Sequence, residues 1–272
     1  MALRREETAF IRLLGTRMSE AELISLTMDS PGNPAIAVRA RAGKGPGLFW
    51  LGGFKSDMKG TKAQALDHWA ASVGRACVRF DYSGHGESGG KFTEGTIGRW
   101  LEESLAVYLR FAQGPQVVIG SSMGGWLALL LARALCERKH TVPIVGMVLI
   151  APAVDFTEEL MWQQFSDAIK REIEKKGVWM RPSRYDEEPY PITRDLIEDG
   201  RKHLLLGGLI ETRCPVHILQ GVQDPDVPWR HAVELVSRFS RDDVVLTLIK
   251  DGDHRLSRPE DIERLVAAVK EF

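Results

Sequence analysis

Cysteine is scarce in this chain, three among 272 residues, at positions 77, 136 and 214. An odd number at wide spacing suggests neither a disulfide framework nor a zinc site, and Cys77, Cys136 and Cys214 each suit a small apolar residue buried in a strand or helix. Charge of either sign is not in excess, with 36 Lys plus Arg against 37 Asp plus Glu. The composition therefore offers no basic surface for nucleic acid or an anionic membrane. Long apolar runs are missing too: the longest, Trp126 to Ala132, is far short of the ~20 residues of a bilayer span. The opening MALRREETAF lacks the roughly 7–15 apolar residues of a secretory signal, and Glu6 and Glu7 fit a transit peptide poorly. No His-Glu-x-x-His and no histidine-rich triplet occurs. The expectation is a cytoplasmic protein with no membrane span, nucleic-acid partner, metal or cofactor.

What is present is a globular composition, 44% hydrophobic and 27% charged, sufficient for one α/β domain carrying an insertion. Strand-like and helix-like segments alternate. AIAVRA (35–40) and LFWL (48–51) read as strands, 61–73 as a helix and ACVRFDY (76–82) as a strand. Ile97, Leu101, Leu105, Tyr108 and Leu109 fall at helical spacing within 96–112. VVI (117–119) predicts a strand, about 123–138 a helix apolar nearly all round and hence buried, and VGMVLIAP (145–152) another strand. After residue 214 the pattern resumes with strands at 215–220 and 244–249, a helix at 229–239, and a last helix burying Ile262, Leu265, Val266 and Val269. Such alternation predicts an α/β fold with a mostly parallel central sheet covered by helices on both faces.

Residues 155–213 break this rhythm. They show no convincing strand but two charged helical stretches, 157–176 and 192–206, around the Pro-punctuated VWMRPSRYDEEPYP. Met161, Phe165, Ile169 and Ile173 lie at i+4 steps as one apolar stripe. The expected organisation is a core of 1–154 and 214–272 with a helical cap, 155–213, inserted over the sheet.

Two stretches match Gly-x-Ser-x-Gly, Gly120-Ser121-Ser122-Met123-Gly124 and Gly86-Glu87-Ser88-Gly89-Gly90. A nucleophile elbow needs a strand before the serine, a helix after it and small neighbours where backbone meets backbone. Ser122 meets these demands: VVI leads in, a buried helix leads out, and Gly120, Gly124 and Gly125 flank it. Ser88 sits in SGHGESGGKF, where glycines crowd both sides and no helix begins, so it reads as a loop.

A serine hydroxyl needs a base, and the base an acid to orient it. On this elbow the acid and then the histidine follow in the chain, on loops after late strands. His254, in LIKDGDHRLS just past the final strand, occupies the base's place. His68, His85, His140, His203, His217 and His231 read as surface or packing residues. The acid should follow PVHILQ, where GVQDPDVP offers Asp224, with Asp226 as the alternative; Asp251 and Asp253 read as loop residues. An oxyanion hole requires two backbone N–H groups. Met123 supplies one, and LGGF nominates Phe54 for the other, although Gly52-Gly53 alone is equally a tight turn. Met161, Phe165, Trp179 and Met180 are the cap side chains expected to wall an acyl pocket; the alternative is that they only glue the cap to the sheet.

These residues resemble the α/β-hydrolase family, and within it the branch of the mitochondrial palmitoyl-protein thioesterase and acyl-glucuronide esterase. The likeness runs over roughly residues 45–256, through GTKA (60–63), ACVRFDYSG (76–84), GSSMGGW (120–126), KGVW (176–179), PSRY (182–185), VPW (227–229) and DH (253–254). It implies an α/β-hydrolase fold, a Ser122–Asp224–His254 triad and hydrolysis of a small-molecule ester or acyl thioester, with an acylated protein among the substrates to consider. The chain departs from many members in having Leu51 rather than His before Gly52, a change of little weight where the donor is backbone. A serine at the elbow argues against the dehalogenases and epoxide hydrolases of this fold, which carry Asp there. The competing class is a ligand-binding member that keeps the fold without turnover.

Overall fold

The computed structural model describes residues 22–26, 34–139, 142–182 and 188–272. Eight strands form one sheet: β1 (Glu22–Leu26), β2 (Ile36–Arg41), β3 (Lys44–Leu51), β4 (Arg75–Phe80), β5 (Gln116–Ser121), β6 (Ile144–Ile150), β9 (Val216–Gly221) and β10 (Val244–Ile249), in the spatial order β1-β2-β4-β3-β5-β6-β9-β10. From β4 onward every pairing is parallel, while β1 with β2 and β2 with β4 are antiparallel. The helices are α1 (Thr61–Val73), α2 (Ile97–Phe111), α3 (Met123–Glu137), α4 (Asp167–Lys176), α5 (Arg194–Gly200), α6 (Trp229–Arg238) and α7 (Pro259–Val269).

Burial on both faces explains why the central strands read as continuous apolar runs. Side chains alternate across a strand. Phe49, Leu51, Val118, Met147 and Leu149 accordingly face a cluster with α2, α3 and α6, whereas Leu48, Trp50, Val117, Ile119, Val148 and Ile150 face α1 and α7. Helix α3 is sealed inside, with Met123 through Ala132 all buried.

Four expectations are corrected. Strand β1 was not anticipated; it is a five-residue strand at the sheet's end whose Leu23 is exposed, so no buried alternation marks it. Residues 155–213 contain strands after all, β7 (Val178–Arg181) and β8 (Tyr190–Thr193), a separate antiparallel pair. In a two-stranded ribbon each strand is an edge, which tolerates Pro191. The helix expected over 157–176 is also broken: a π-turn at Thr157–Met161 and a 3₁₀ turn at Trp162–Gln164 precede α4, and Ser166 starts α4 afresh by accepting the Ile169 N–H at 3.4 Å. The second predicted helix, 192–206, shrinks to α5 and a 3₁₀ turn at Arg201–His203. His140 lies outside the described residues, as do 183–185 of the PSRY stretch.

The 155–213 segment is pinned to the rest by polar contacts. The Gly98 N–H at the start of α2 donates to Asp199 at 2.7 Å, and the Trp126 indole of α3 donates to the His203 carbonyl at 3.2 Å. Asp155 instead ties the two ends of the segment together, accepting the N–H groups of Leu205 and Leu206 at 2.9 and 2.8 Å. Among the described residues no helix is long and apolar enough to cross a membrane.

Candidate active site

Strand β5 delivers Ser122 at its carboxyl end, and α3 begins at the next residue. Ser122 sits at φ 54°, ψ −118°, a left-handed conformation uncommon for a non-glycine residue. The strain is held by neighbours: the Ser122 N–H donates to Ile150 of β6 at 2.8 Å, and its carbonyl accepts from Gly125 and Ala153. Glycine is obligatory beside it. A Cβ on Gly120 would stand 2.3 Å from the Gly124 carbonyl oxygen.

His254 arrives from the loop after β10. Its Nε2 is 3.0 Å from Ser122 Oγ and its Nδ1 2.8 Å from Asp224 Oδ2. Asp224 follows β9, and its carboxylate is fully buried. Its Oδ1 accepts the backbone N–H groups of Asp226 and Val227, both at 2.8 Å, and its Oδ2 also accepts from Gln220 Nε2 at 3.3 Å. The carboxylate thus has one oxygen held by the turn and one turned to the imidazole. Asp226, the alternative acid, lines the cavity but supplies the turn's N–H to Asp224. Asp251 instead pairs with Arg258 at 2.7 Å, and Asp253 accepts the Leu256 N–H at 3.0 Å.

Among the described residues, Asp224, Asp226 and His254 offer three metal-type ligand atoms in reach of one another. Both imidazole nitrogens and both Asp224 oxygens are already engaged as above, so this group is explained as a hydrogen-bonded relay. Four other described histidines lie away from this relay. His231 bonds the Val154 carbonyl, His217 lies between Glu271 and Thr247, His203 is 3.6 Å from Asp199, and His68 is exposed on α1.

Ser88 is accounted for differently. Its hydroxyl donates to the Asp81 carbonyl at 2.6 Å and accepts the Ala37 N–H at 2.8 Å. Both capacities go to holding its own loop against the sheet.

Around Ser122 lies a cavity of about 530 Å³, lined in part by Phe54, Met123, Phe156, Leu160, Met161 and Tyr190. As the first residue of α3, Met123 has no preceding helical carbonyl for its N–H. The loop after β3 backs onto the serine: a Cβ on Gly53 would lie 3.3 Å from Ser122 Cβ. Of the four cap side chains expected to wall the pocket, Met161 does so. Phe165 and Trp179 pack on each other, centroids 5.1 Å apart, and Met180 is 48% exposed; none of these three lines the cavity. The broken helix is the reason, since Phe165 belongs to the extended junction before Ser166 rather than to a continuous stripe.

Sequence reasoning did not find Gln220 or Lys62. Gln220, wholly buried on β9, ties Asp224 to the Val227 carbonyl at 3.0 Å. Lys62 Nζ, on α1, donates to the Arg255 carbonyl and reaches Ser257 Oγ at 3.4 Å, bracing the segment that follows His254. Burial pushes the Lys62 ammonium down to about 8. Lys62 acts on a loop 193 positions away and Gln220 on the turn that follows its own strand, and periodicity carries no signal for either kind of contact.

The alpha/beta hydrolase family model matches residues 46–268. The mitochondrial palmitoyl-protein thioesterase of Homo sapiens is 38% identical over 246 residues, covering 90% of this chain and 78% of that protein. A putative hydrolase from Agrobacterium vitis S4 superposes with a TM-score of 0.88 at 48% identity, over 94% of this chain and 99% of that one. The mouse alpha/beta hydrolase domain-containing protein 10 gives 0.82 at 35% identity, over 92% and 98%. The expected cytoplasmic location finds no support in the thioesterase relatives, which are mitochondrial by name. With the sheet order, the elbow and these likenesses in agreement, the chain belongs to the alpha/beta hydrolase family, as a serine hydrolase of ester or thioester bonds.

Proposed function

We propose that Ser122 is the nucleophile, His254 the general base and Asp224 the orienting acid of an acyl-transfer site, with the backbone N–H groups of Met123 and Phe54 as the oxyanion hole. The observation that carries this reading is the unbroken relay Ser122–His254–Asp224, at 3.0 and 2.8 Å. Ser122 Oγ attacks the acyl carbon as His254 Nε2 takes its proton. Negative charge collects on the carbonyl oxygen, where the two N–H groups meet it. The bond to the leaving oxygen or sulfur then breaks, and the proton on His254 passes to that atom. Water enters, gives its proton to His254 and attacks the acyl-enzyme; the acid departs and the proton returns to Ser122 Oγ.

The substrate side is an acyl thioester or ester with an apolar acyl chain, and by likeness to the palmitoyl-protein thioesterase an acylated protein is the first candidate. Phe156, Leu160 and Met161, all from the 155–213 segment, support its role as a cap that supplies apolar wall and excludes water. A fluorophosphonate probe with intact-protein mass spectrometry tests the nucleophile. The wild type should gain one adduct and the Ser122→Ala protein none; an adduct on Ser122→Ala removes the assignment.

A further inference from the structure

The second Gly-x-Ser-x-Gly stretch, SGHGESGG, takes no part in the relay, yet it lies directly beneath the loop that carries Phe54. His85, in that stretch, is 4% exposed. The Lys55 N–H donates to its Nε2 at 3.1 Å, and its Nδ1 is 3.1 Å from the Ser83 carbonyl oxygen. A backbone N–H can only donate and a carbonyl can only accept. The ring is therefore the neutral tautomer with its proton on Nδ1. Lys55 itself is held at φ 56°, a left-handed conformation uncommon for a residue other than glycine.

Residues at the end of β4, just before the stretch, act on the same loop. Asp81 accepts the Met58 N–H through Oδ1 at 2.6 Å and the Glu87 N–H through Oδ2 at 2.8 Å, so one carboxylate joins both loops. A Cβ on Gly86 would fall 2.1 Å from that carboxylate, so glycine is required there. Arg79 donates to the Met58 carbonyl at 2.7 Å and is itself paired to Asp67 at 3.0 Å. Phe54 is packed edge-on against Phe92 and Trp100, and both of those rings also touch His85.

We propose that SGHGESGG is the mould for the oxyanion loop, and that His85 is a positioning residue which fixes the backbone of Phe54 for transition-state binding. The proposal rests on the reading of Phe54 and Met123 as oxyanion donors. The Lys55 N–H lies in the peptide plane that leaves Phe54, so the bond to His85 fixes one side of Phe54; on the other side Gly53 sits near enough to Ser122 that an added Cβ would lie 3.3 Å from the serine Cβ. Displacing such a donor by a fraction of an ångström weakens it only once charge has formed on the substrate oxygen.

The charged groups facing the ring leave it neutral. Lys55 disfavours a second positive charge, and the carboxylates of Asp81 and Glu103 are turned to the backbone N–H groups of Met58, Glu87 and Ser83. Burial is the largest influence and pushes His85 down to about 4. The acceptor at Nε2 is thus kept at neutral pH.

The test compares His85→Phe, which keeps a buried ring without an acceptor, with His85→Gln, whose amide oxygen can take the Lys55 N–H. On p-nitrophenyl butyrate, His85→Phe should lose on the order of 10² in kcat with KM changed less than about twofold. An alkyl trifluoromethyl ketone, which forms an oxyanion on the serine, should weaken by the same factor, and His85→Gln should regain most of both. Unchanged kcat in His85→Phe, or a loss carried by KM, overturns the proposal. Native-state hydrogen exchange on the wild type is independent of how the variants fold: the Lys55 N–H should be protected, and free exchange there also overturns it. Fluorophosphonate labelling of the wild type separates the two readings, because an unlabelled wild type defeats the Ser122 assignment itself.

Discussion

The backbone of Gly124 rests against the carbonyl of Leu51, so closely that a Cβ there would stand 2.1 Å from that oxygen. The start of α3 and the end of β3 are in contact at the point where the Ser122 elbow and the loop carrying Phe54 meet. Gly124→Ala must push them apart. The expected outcome is a loss of more than about 10² in kcat/KM together with a lower melting temperature, checked by steady-state kinetics and calorimetry. A Gly124→Ala protein of normal rate and stability would show this packing to be wrong.

Asp224 and Asp226 separate by their partners. Asp224→Asn keeps the shape but removes the charge that holds the His254 ring, and should cost on the order of 10⁴ in kcat, as in serine protease triads. Asp226→Asn leaves its backbone N–H to Asp224 intact, so its loss should be far smaller. Purified variants assayed on one ester decide it, and the reverse ranking moves the acid to Asp226.

Ser88→Ala should retain fluorophosphonate labelling. Its cost should appear in folding instead, as about 1–3 kcal/mol from the lost bonds to Asp81 and Ala37. Urea denaturation measures this. Loss of labelling in a protein of unchanged stability would contradict the role given to Ser88.

Chain-length preference divides the cap residues. Met161→Ala removes cavity wall, and each methylene buried there is worth roughly 0.8 kcal/mol, so kcat/KM should fall more for a long-chain thioester than for an acetyl one. Phe165→Ala, away from the cavity, should lower stability while affecting both substrates equally. Exposed Met180→Ala should change neither. A matching chain-length effect in all three would relocate the acyl site.

Asp155 makes stability depend on pH. Burial, the largest influence, raises its carboxyl to about 6, above the ordinary 3.8. A folded-state value above the unfolded one gives stability that is complete below about pH 4 and is lost as pH rises through 6. Asp155→Asn should therefore flatten the pH 4–6 region of a chemical-denaturation series relative to wild type. An identical slope in both proteins would dismiss this contribution.

Much of the core was readable because burial on two faces leaves a plain imprint. Helix α1 spans the 61–73 expected, β10 the 244–249 expected, and α3 was marked by being apolar all round. The convergence of Ser122, Asp224 and His254 followed from each lying just past a strand. Short elements left less trace: β7 and β8 have four residues each, and β1 exposes Leu23. The i+4 stripe misled because Ser166, a strong cap, restarts the helix inside it. His85, Gln220 and Lys62 act through specific hydrogen bonds, including ones to Lys55, Asp224 and Arg255 that span 30, 4 and 193 positions, and no hydrophobic period encodes such pairings.

Ser122 and His254 are 132 positions apart, and the chain between them builds β6, the whole 155–213 segment, β9 and β10. On the proposed relay, a nascent or truncated chain that has completed the elbow would be inert, since its serine would have no base until the last strand, β10, docks on β9. Reactivity toward an acylating probe becomes a clock for the end of folding. During refolding, tryptophan burial should run ahead of it, and the interval between the two signals times the closure of the sheet's final edge.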